Sequence, residues 1–142
     1  MSCVFCAILE GRAAASVVYE DDLCLALLDL APVTPGHLLI IPKAHAIGLA
    51  DLPPTTGAHL FTVGQRLAAV LKADDPARTG INFLLADGKD AGQTVFHVHL
   101  HVIPRQANDG FGFRFPPNYP SRPTREVLNE HALRLRAQLK LW

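Results

Sequence analysis

The stretch Gly92-Gln93-Thr94-Val95-Phe96-His97-Val98-His99-Leu100-His101-Val102-Ile103-Pro104-Arg105 decides how this chain is read. Its β-branched and apolar residues predict one long strand from Thr94 to Ile103. Side chains on a strand alternate between faces, so His97, His99 and His101 share one face at intervals of about 7 Å. Val98, Leu100 and Val102 share the other. One face reads as core and the other as chemistry. A lone strand histidine is usually just a partly buried ring with one hydrogen bond. Three in strict alternation are harder to explain, because each needs a polar partner when buried. Alternating histidines also occur in zinc and iron sites. Such sites usually recruit a carboxylate, and this strand contains none. The Gly92-Gln93-Thr94 lead-in offers backbone N–H groups to an anion, which favours a phosphate attacked by histidine over a metal hydrolase.

Outward from this strand, Ile81 to Leu85 reads as a strand, and Lys89-Asp90-Ala91-Gly92 as the turn between the two. Pro53-Pro54 opens a helix, a position proline tolerates. Leu60, Val63, Leu67, Val70 and Leu71 recur at helical spacing, so one face of it should be buried. Asp74-Asp75-Pro76 ends it. His37 to Ile41 is an apolar strand halted by Pro42. Val17 to Tyr19 and Leu23 to Asp29 form a hairpin. Phe5 to Glu10 makes a short helix stopped by Gly11. At the far end, Asp109 to Pro123 is irregular, and the Asp109–Phe113 portion suggests a mobile cover. Thr124 caps a last helix of about residues 124–140, with Val127, Leu128, Leu135 and Leu139 on one face. Adjacent strands with a few helices imply an α+β fold around a mainly antiparallel sheet.

Length and composition set the frame. A chain of 142 residues suits a single domain, 1–142, with its core at about 2–115. Hydrophobic residues make up 49% and charged residues 18%, so a folded core is expected rather than disorder. Acidic and basic side chains balance at 13 each, which points away from nucleic acid and from membrane surfaces. The start, MSCVFCAILEGR, lacks a cationic export signal. No run approaches the ~18 apolar residues that a bilayer requires. An odd count of three cysteines without such a signal points to the cytoplasm. Cys24, in an apolar run, reads as a small buried hydrophobe. His59 and His131 read as ordinary surface or boundary residues, and His37 as a ring that lines the site or merely packs.

The run His97-Val98-His99-Leu100-His101-Val102-Ile103 fits a pattern of three histidines alternating with apolar residues. It resembles the histidine-triad nucleotide-binding family, in particular its small bacterial, zinc-containing branch. Val4-Phe5-Cys6, Asp29-Leu30, Pro35-Gly36-His37, Ile41-Pro42-Lys43-Ala44-His45, Gly80-Ile81-Asn82, Gly92-Gln93-Thr94 and Ile103-Pro104-Arg105 fall in the family's order and spacing. The resemblance implies a five-stranded sheet and a two-fold homodimer with a continuous sheet, for which Phe61 to Val70 could supply a shared face. It implies a nucleotide hydrolase or transferase in which His99 attacks the α-phosphorus of a purine nucleotide and forms a nucleotidyl-histidine. Phosphoramidates and dinucleoside polyphosphates are the substrate types it suggests. Imidazole suits this role, being substantially neutral at pH 7 with an ordinary pKa of ~6.5. Its second nitrogen must be tied to an acceptor, for which a backbone carbonyl is the expectation.

By the same resemblance, His101 would bind phosphate oxygens, Thr94 would relay a proton, and Gln93 with the amides around Gly92 would complete the oxygen cradle. Val4, Phe5, Ile8 and Leu30 would flank the base, and Asp29 would hold the ribose hydroxyls. The plainer readings are a strand start for Thr94, hairpin core for the apolar residues and a turn cap for Asp29. Ala86 stands where the family commonly has a phosphate-contacting Asn. Asn82 lies about 13 Å away along the strand and cannot substitute for it. Cys3 and Cys6 form a C-x-x-C pair, which in the cytoplasm is redox-active or binds metal, two inert thiols being the plainer reading. In zinc-containing members the pair joins the residues matching His45 and His97, a complete tetrahedral set for a structural zinc. No organic cofactor is implied. A non-catalytic nucleotide-binding regulator and a metal-dependent hydrolase are the alternatives.

Overall fold

Cys24–Leu28 and Leu38–Pro42 are apolar at every position, the pattern of strands covered on both faces. They lie in the middle of the sheet of the computed structural model, which describes residues 3–139. Those residues fall into two compact units that divide after Phe111. The first contains α1 (Val4–Leu9), β1 (Val17–Glu20), β2 (Cys24–Leu28), β3 (Leu38–Pro42), α2 (Pro54–Asp74), β4 (Gly80–Leu84) and β5 (Leu100–Arg105). The fold is α+β. Its five strands run in the order β1-β2-β3-β5-β4, and each pair is antiparallel.

Strand alternation divides the core in two. Cys24, Ala26, Leu38, Ile40, Leu100 and Val102 face α2, where they meet Leu60, Val63, Leu67 and Leu71. Leu25, Leu27, Leu39 and Ile41 face the other way, against Phe5 of α1. α2 thus seals one side of the sheet, and the other carries the short helix and the histidines. Val70, expected on the buried face of α2, is 58% exposed. Gly64 lies inward in the apolar stripe instead, because a side chain there would press on the Phe83 ring at 3.1 Å.

The long strand expected from Thr94 is shorter than its sequence suggests. β5 begins only at Leu100, and residues 95–97 form a bend. The register that pairs Ile40 with Leu100 would bring Pro42 opposite Val98. Proline has no N–H to give a ladder. The Val98 amide turns instead to the Ala46 carbonyl, 2.7 Å away. Alternation nevertheless survives the break, since Val98 lies in the α2-side core with Leu100 and Val102.

The β1–β2 turn is organised by one carboxylate. Asp21 Oδ1 accepts from the amides of Leu23 and Cys24, each at 2.9 Å. Its Oδ2 accepts from the Tyr19 hydroxyl at 2.8 Å and lies 2.7 Å from His59 Nε2 on α2. Burial alone would raise this carboxyl; the bonds from His59, Tyr19 and the two amides outweigh it and hold the group well below the usual carboxylate range. His59, expected to be an ordinary boundary residue, therefore pins α2 to the hairpin. Cys24 is fully buried, which pushes its thiol up to about 12 and suits the inert role expected of it.

Arg105 ties down the start of the segment expected to be a mobile cover. Its guanidinium donates to both oxygens of Asp109, at 2.7 and 2.9 Å, and to the Phe111 carbonyl. It also donates to Asn82 Oδ1 at 2.6 Å. The second unit contains α3 (Arg125–Leu139), capped by Thr124 Oγ1, which accepts from the Val127 amide. Its Val127, Leu128, Leu135 and Leu139 are exposed. Position 2 of the expected core and position 140 of the expected helix lie outside the described residues.

Replacing Asp21 with Ala strands the Tyr19 hydroxyl, His59 and two turn amides, although partial exposure lets water recover some of the loss. The expected cost is about 1–2 kcal/mol in urea unfolding. A midpoint equal to that of the unchanged protein would remove the turn from the account of stability.

Candidate functional site

The register of the middle strands builds a floor. Leu27 pairs with Leu39, and Leu39 with His101, so these three side chains form one row across the sheet. α1 stands over this row and is capped at its start by Cys3, whose Sγ accepts from the Cys6 amide. Its Phe5 is buried edge-on against the rings of His97 and His99, at centroid distances of 5.7 and 5.2 Å. Between helix and sheet lies a cleft of ≈ 220 Å³. Val4, Phe5, Ile8, Asp29, Leu30, Thr94, His99 and His101 all line it. Leu27, Leu28, Leu39 and Val95 complete the lining. In the sequence these four carry no motif of their own, only strand alternation and a position beside the motifs.

The three histidines have different partners. The His99 Nδ1–H donates to the carbonyl of His97, 2.8 Å away. Among the described residues its Nε2 has no protein partner. No buried side-chain nitrogen or oxygen among the described residues lacks one, so this Nε2 is open to the cleft. The His97 Nε2–H donates to the Pro42 carbonyl at 2.8 Å, which turns a bare Nδ1 the other way. His101 Nδ1 lies 2.8 Å from His37 Nε2, and His37 Nδ1 accepts from the Val33 amide at 3.2 Å. Burial, with the neighbouring His99 and His37, pushes His101 down to about 4. Burial also lowers His37, and Asp29 only partly opposes it. Both rings are neutral at pH 7. His37 is thus part of the constellation rather than simple packing.

Gly92 and Gln93 do not line the cleft. Gly92 takes a left-handed conformation, φ +90°, that a side chain would strain. Its amide donates to the Lys89 carbonyl, and the Gln93 amide donates to the Gly88 carbonyl. The Gln93 side chain is buried and fully engaged. Its Oε1 accepts from the Gly88 amide at 2.8 Å, and its Nε2 donates to the carbonyls of Ile47 and Val95. Among the described residues, the amides of Thr94 and Val95 have no protein acceptor. These two unspent donors therefore sit two and three residues beyond Gly92, where the turn ends.

On the far side of His97 a second cluster forms. Ligand atoms of Cys3, Cys6, His45 and His97 all lie within 4.8 Å of one another. The His45 and His97 Nδ1 atoms are 3.1 Å apart, and Cys3 Sγ is 3.4 Å from His97 Nδ1. Cys6 Sγ is 3.3 Å from His45 Nδ1 and 3.7 Å from His97 Nδ1. Metal–ligand bonds of 2.0–2.3 Å in a tetrahedron give edges of ~3.3–3.8 Å, close to these separations. Two sulfurs and two imidazole nitrogens, one aimed by the Pro42 carbonyl, are a donor set that could hold a metal ion. No described helix is long and apolar enough to cross a membrane.

This geometry can be set beside known proteins. A zinc-bound histidine triad family protein from Mycobacterium smegmatis is 49% identical, with a TM-score of 0.76, over 83% of this chain and 85% of that one. A histidine triad nucleotide-binding protein from Candida albicans is 31% identical, with a TM-score of 0.86, over 98% of each chain. An Arabidopsis thaliana protein named adenylylsulfatase HINT3 is 41% identical over 108 residues, which are 75% of this chain and 54% of that one. The model of the HIT domain family matches residues 10–108, most of the chain and all of its sheet. The chain belongs to the HIT domain family.

Proposed function

We propose that the protein is a nucleotide hydrolase or nucleotidyltransferase in which His99 Nε2 attacks the α-phosphorus of a purine nucleotide. One observation carries this reading: the His99 Nδ1–H donates to the His97 carbonyl, and its Nε2, without a protein partner among the described residues, is open at the cleft. As the N–P bond forms, the bond from phosphorus to the leaving group breaks, and the leaving group takes the electron pair. The imidazole becomes cationic, and its Nδ1–H bond to the carbonyl strengthens. Thr94 is at hand on the cleft wall to pass the departing group a proton. Water then attacks phosphorus and returns a proton to the Thr94 oxygen, while the N–P bond breaks and its electron pair goes back to His99 Nε2. His101 and the amides of Thr94 and Val95 hold the oxygens, and Gln93 and Gly92 serve by shaping the turn. Val4, Phe5, Ile8 and Leu30 flank the base, and Asp29 takes the ribose hydroxyls. Support for the class also comes from the nucleotide-binding and adenylylsulfatase names of two relatives. Ala86 offers no side-chain donor, so the leaving group is the open choice.

An adenosine phosphoramidate labelled at its α-phosphorus tests this. Label should be trapped on the wild-type protein, and His99→Ala should abolish it and lower turnover by roughly 10³-fold or more. Binding without label or turnover would favour a non-catalytic regulator. Turnover lost to chelator while the fold survives would favour metal-dependent hydrolysis.

The donor set of Cys3, Cys6, His45 and His97 fits a tetrahedral zinc ion in the reduced cytoplasm that we assign to this chain. Four protein ligands leave no open position, so the metal would brace the fold and not polarise substrate. It would clamp α1 to the bend before β5. Metal analysis should return stoichiometric zinc. The double substitution Cys3→Ser, Cys6→Ser should remove it and lower the melting temperature by roughly 5–10 °C. Unchanged melting would rule out the clamp.

We also assign a homodimer with a continuous sheet. β4 is an edge strand, and exposed Phe61 rims a groove lined by Ala68, Ala69, Ile81 and Phe83, with Gln65 and Lys72 as its polar members. Sedimentation should show the mass of two chains, and Phe61→Lys should shift it to one. A wild-type monomer at all concentrations would end this assignment.

A further inference from the structure

The loop from Asp29 to His37 closes on itself. The Asp29 amide donates to the His37 carbonyl at 3.0 Å, and the His37 amide donates to the Thr34 carbonyl at 3.1 Å. Gly36 makes the turn with φ +89°. The Thr34 hydroxyl, itself buried, donates to the Pro104 carbonyl of β5 at 2.7 Å. This frame fixes His37, only 3% exposed, beside His101.

The hydrogen bond between the two rings has a direction that the surrounding atoms determine. Two neutral imidazoles 2.8 Å apart share one proton between the facing nitrogens. The Val33 amide donates to His37 Nδ1, so that nitrogen is bare and the His37 proton sits on Nε2. The Asp29 carboxylate lies 3.6 Å from the same Nε2 and draws the proton to the same place. His37 is therefore the donor and His101 Nδ1 the acceptor. The His101 proton must then sit on Nε2, which has no protein partner among the described residues and is open to the cleft. An anion accepts hydrogen bonds and donates none, so the other tautomer would turn a lone pair toward it.

We propose that His37 is a positioning residue: by donating to His101 Nδ1 it keeps the His101 proton on Nε2, aimed at the phosphate oxygens. This deepens the reading of His99 as nucleophile and rests on it. The amide of Val33, the ring of His37 and the ring of His101 then form a series of donors running from a backbone loop to the substrate, each polarising the next.

Histidine-¹⁵N-labelled protein, metal-loaded as purified and without substrate, gives the test. Two-bond ¹H–¹⁵N correlations at pH 7 should show a protonated Nε2 and a bare Nδ1 on His101, and the same on His37. A proton on His101 Nδ1 overturns the proposal. His37→Phe fills the space without an N–H. It should mix the His101 tautomers and lower kcat about 10- to 100-fold with little change in KM, less than deleting an oxyanion donor outright. His37→Gln, whose amide can donate to the same nitrogen, should restore most of that loss. An unchanged His101 spectrum or unchanged kcat in His37→Phe overturns the proposal. If that variant fails to fold, the wild-type spectrum decides alone. Because the spectra need no turnover, inactivity toward every nucleotide would sink the enzymatic reading without deciding the tautomer.

Discussion

The bond from His99 Nδ1 to the His97 carbonyl is the constraint on which the rest of the site hangs. It exists because the chain between Val95 and His99 is not paired in the sheet. In a paired strand that carbonyl would be spent on a neighbouring ladder. Pro42 cannot supply the N–H that would extend the ladder past Leu100. The chain bends there; the His97 carbonyl is left to His99, and the amides of Thr94 and Val95 have no protein acceptor among the described residues. An acceptor for the ring and donors for a ligand thus arise from one interruption of the sheet.

A bend costs conformational entropy unless something holds it. Here it is held at three points. His97 donates to the Pro42 carbonyl and presents Nδ1 to Cys3, Cys6 and His45. Gln93 spends both ends of its amide on Gly88, Ile47 and Val95. Val98 plugs into the core under α2 and takes the Ala46 carbonyl. The residues that would meet substrate make few bonds to protein, and those behind them make many. That division is how a reactive ring can be kept both unencumbered and immobile.

The sheet divides labour in the same way. Its α2 face is a continuous apolar core. On its other face the short helix α1 packs with Cys3, Ala15 and Val95, and the row Leu27, Leu39 and His101 lines a cleft beside it. A short helix has little surface with which to hold itself down. The Cys3 and Cys6 thiols at its start and Phe5 between two histidine rings supply the missing anchorage.

Sequence alone determined the parts of this protein that depend on local pattern. Alternation placed three histidines opposite three apolar residues. Runs apolar at every position marked the central strands, Pro53-Pro54 marked the start of α2, and spacing put Leu60, Val63, Leu67 and Leu71 in its buried face. The motifs in the sequence contain or adjoin most residues that line the cleft. Tertiary structure decided what depends on neighbours distant in the chain. Whether Thr94–His99 pairs as strand depended on Pro42 across the ladder, more than 50 residues away, as His97 Nε2 and the Pro42 carbonyl attest. Whether Gln93 faces ligand or loop depended on Ile47. The proton positions on His37 and His101 depended on Val33 and Asp29, and the burial of Gly64 rather than Val70 on the Phe83 ring. Periodicity records which way a side chain points, but hydrogen bonds are settled by whichever donor and acceptor the fold brings within 3 Å.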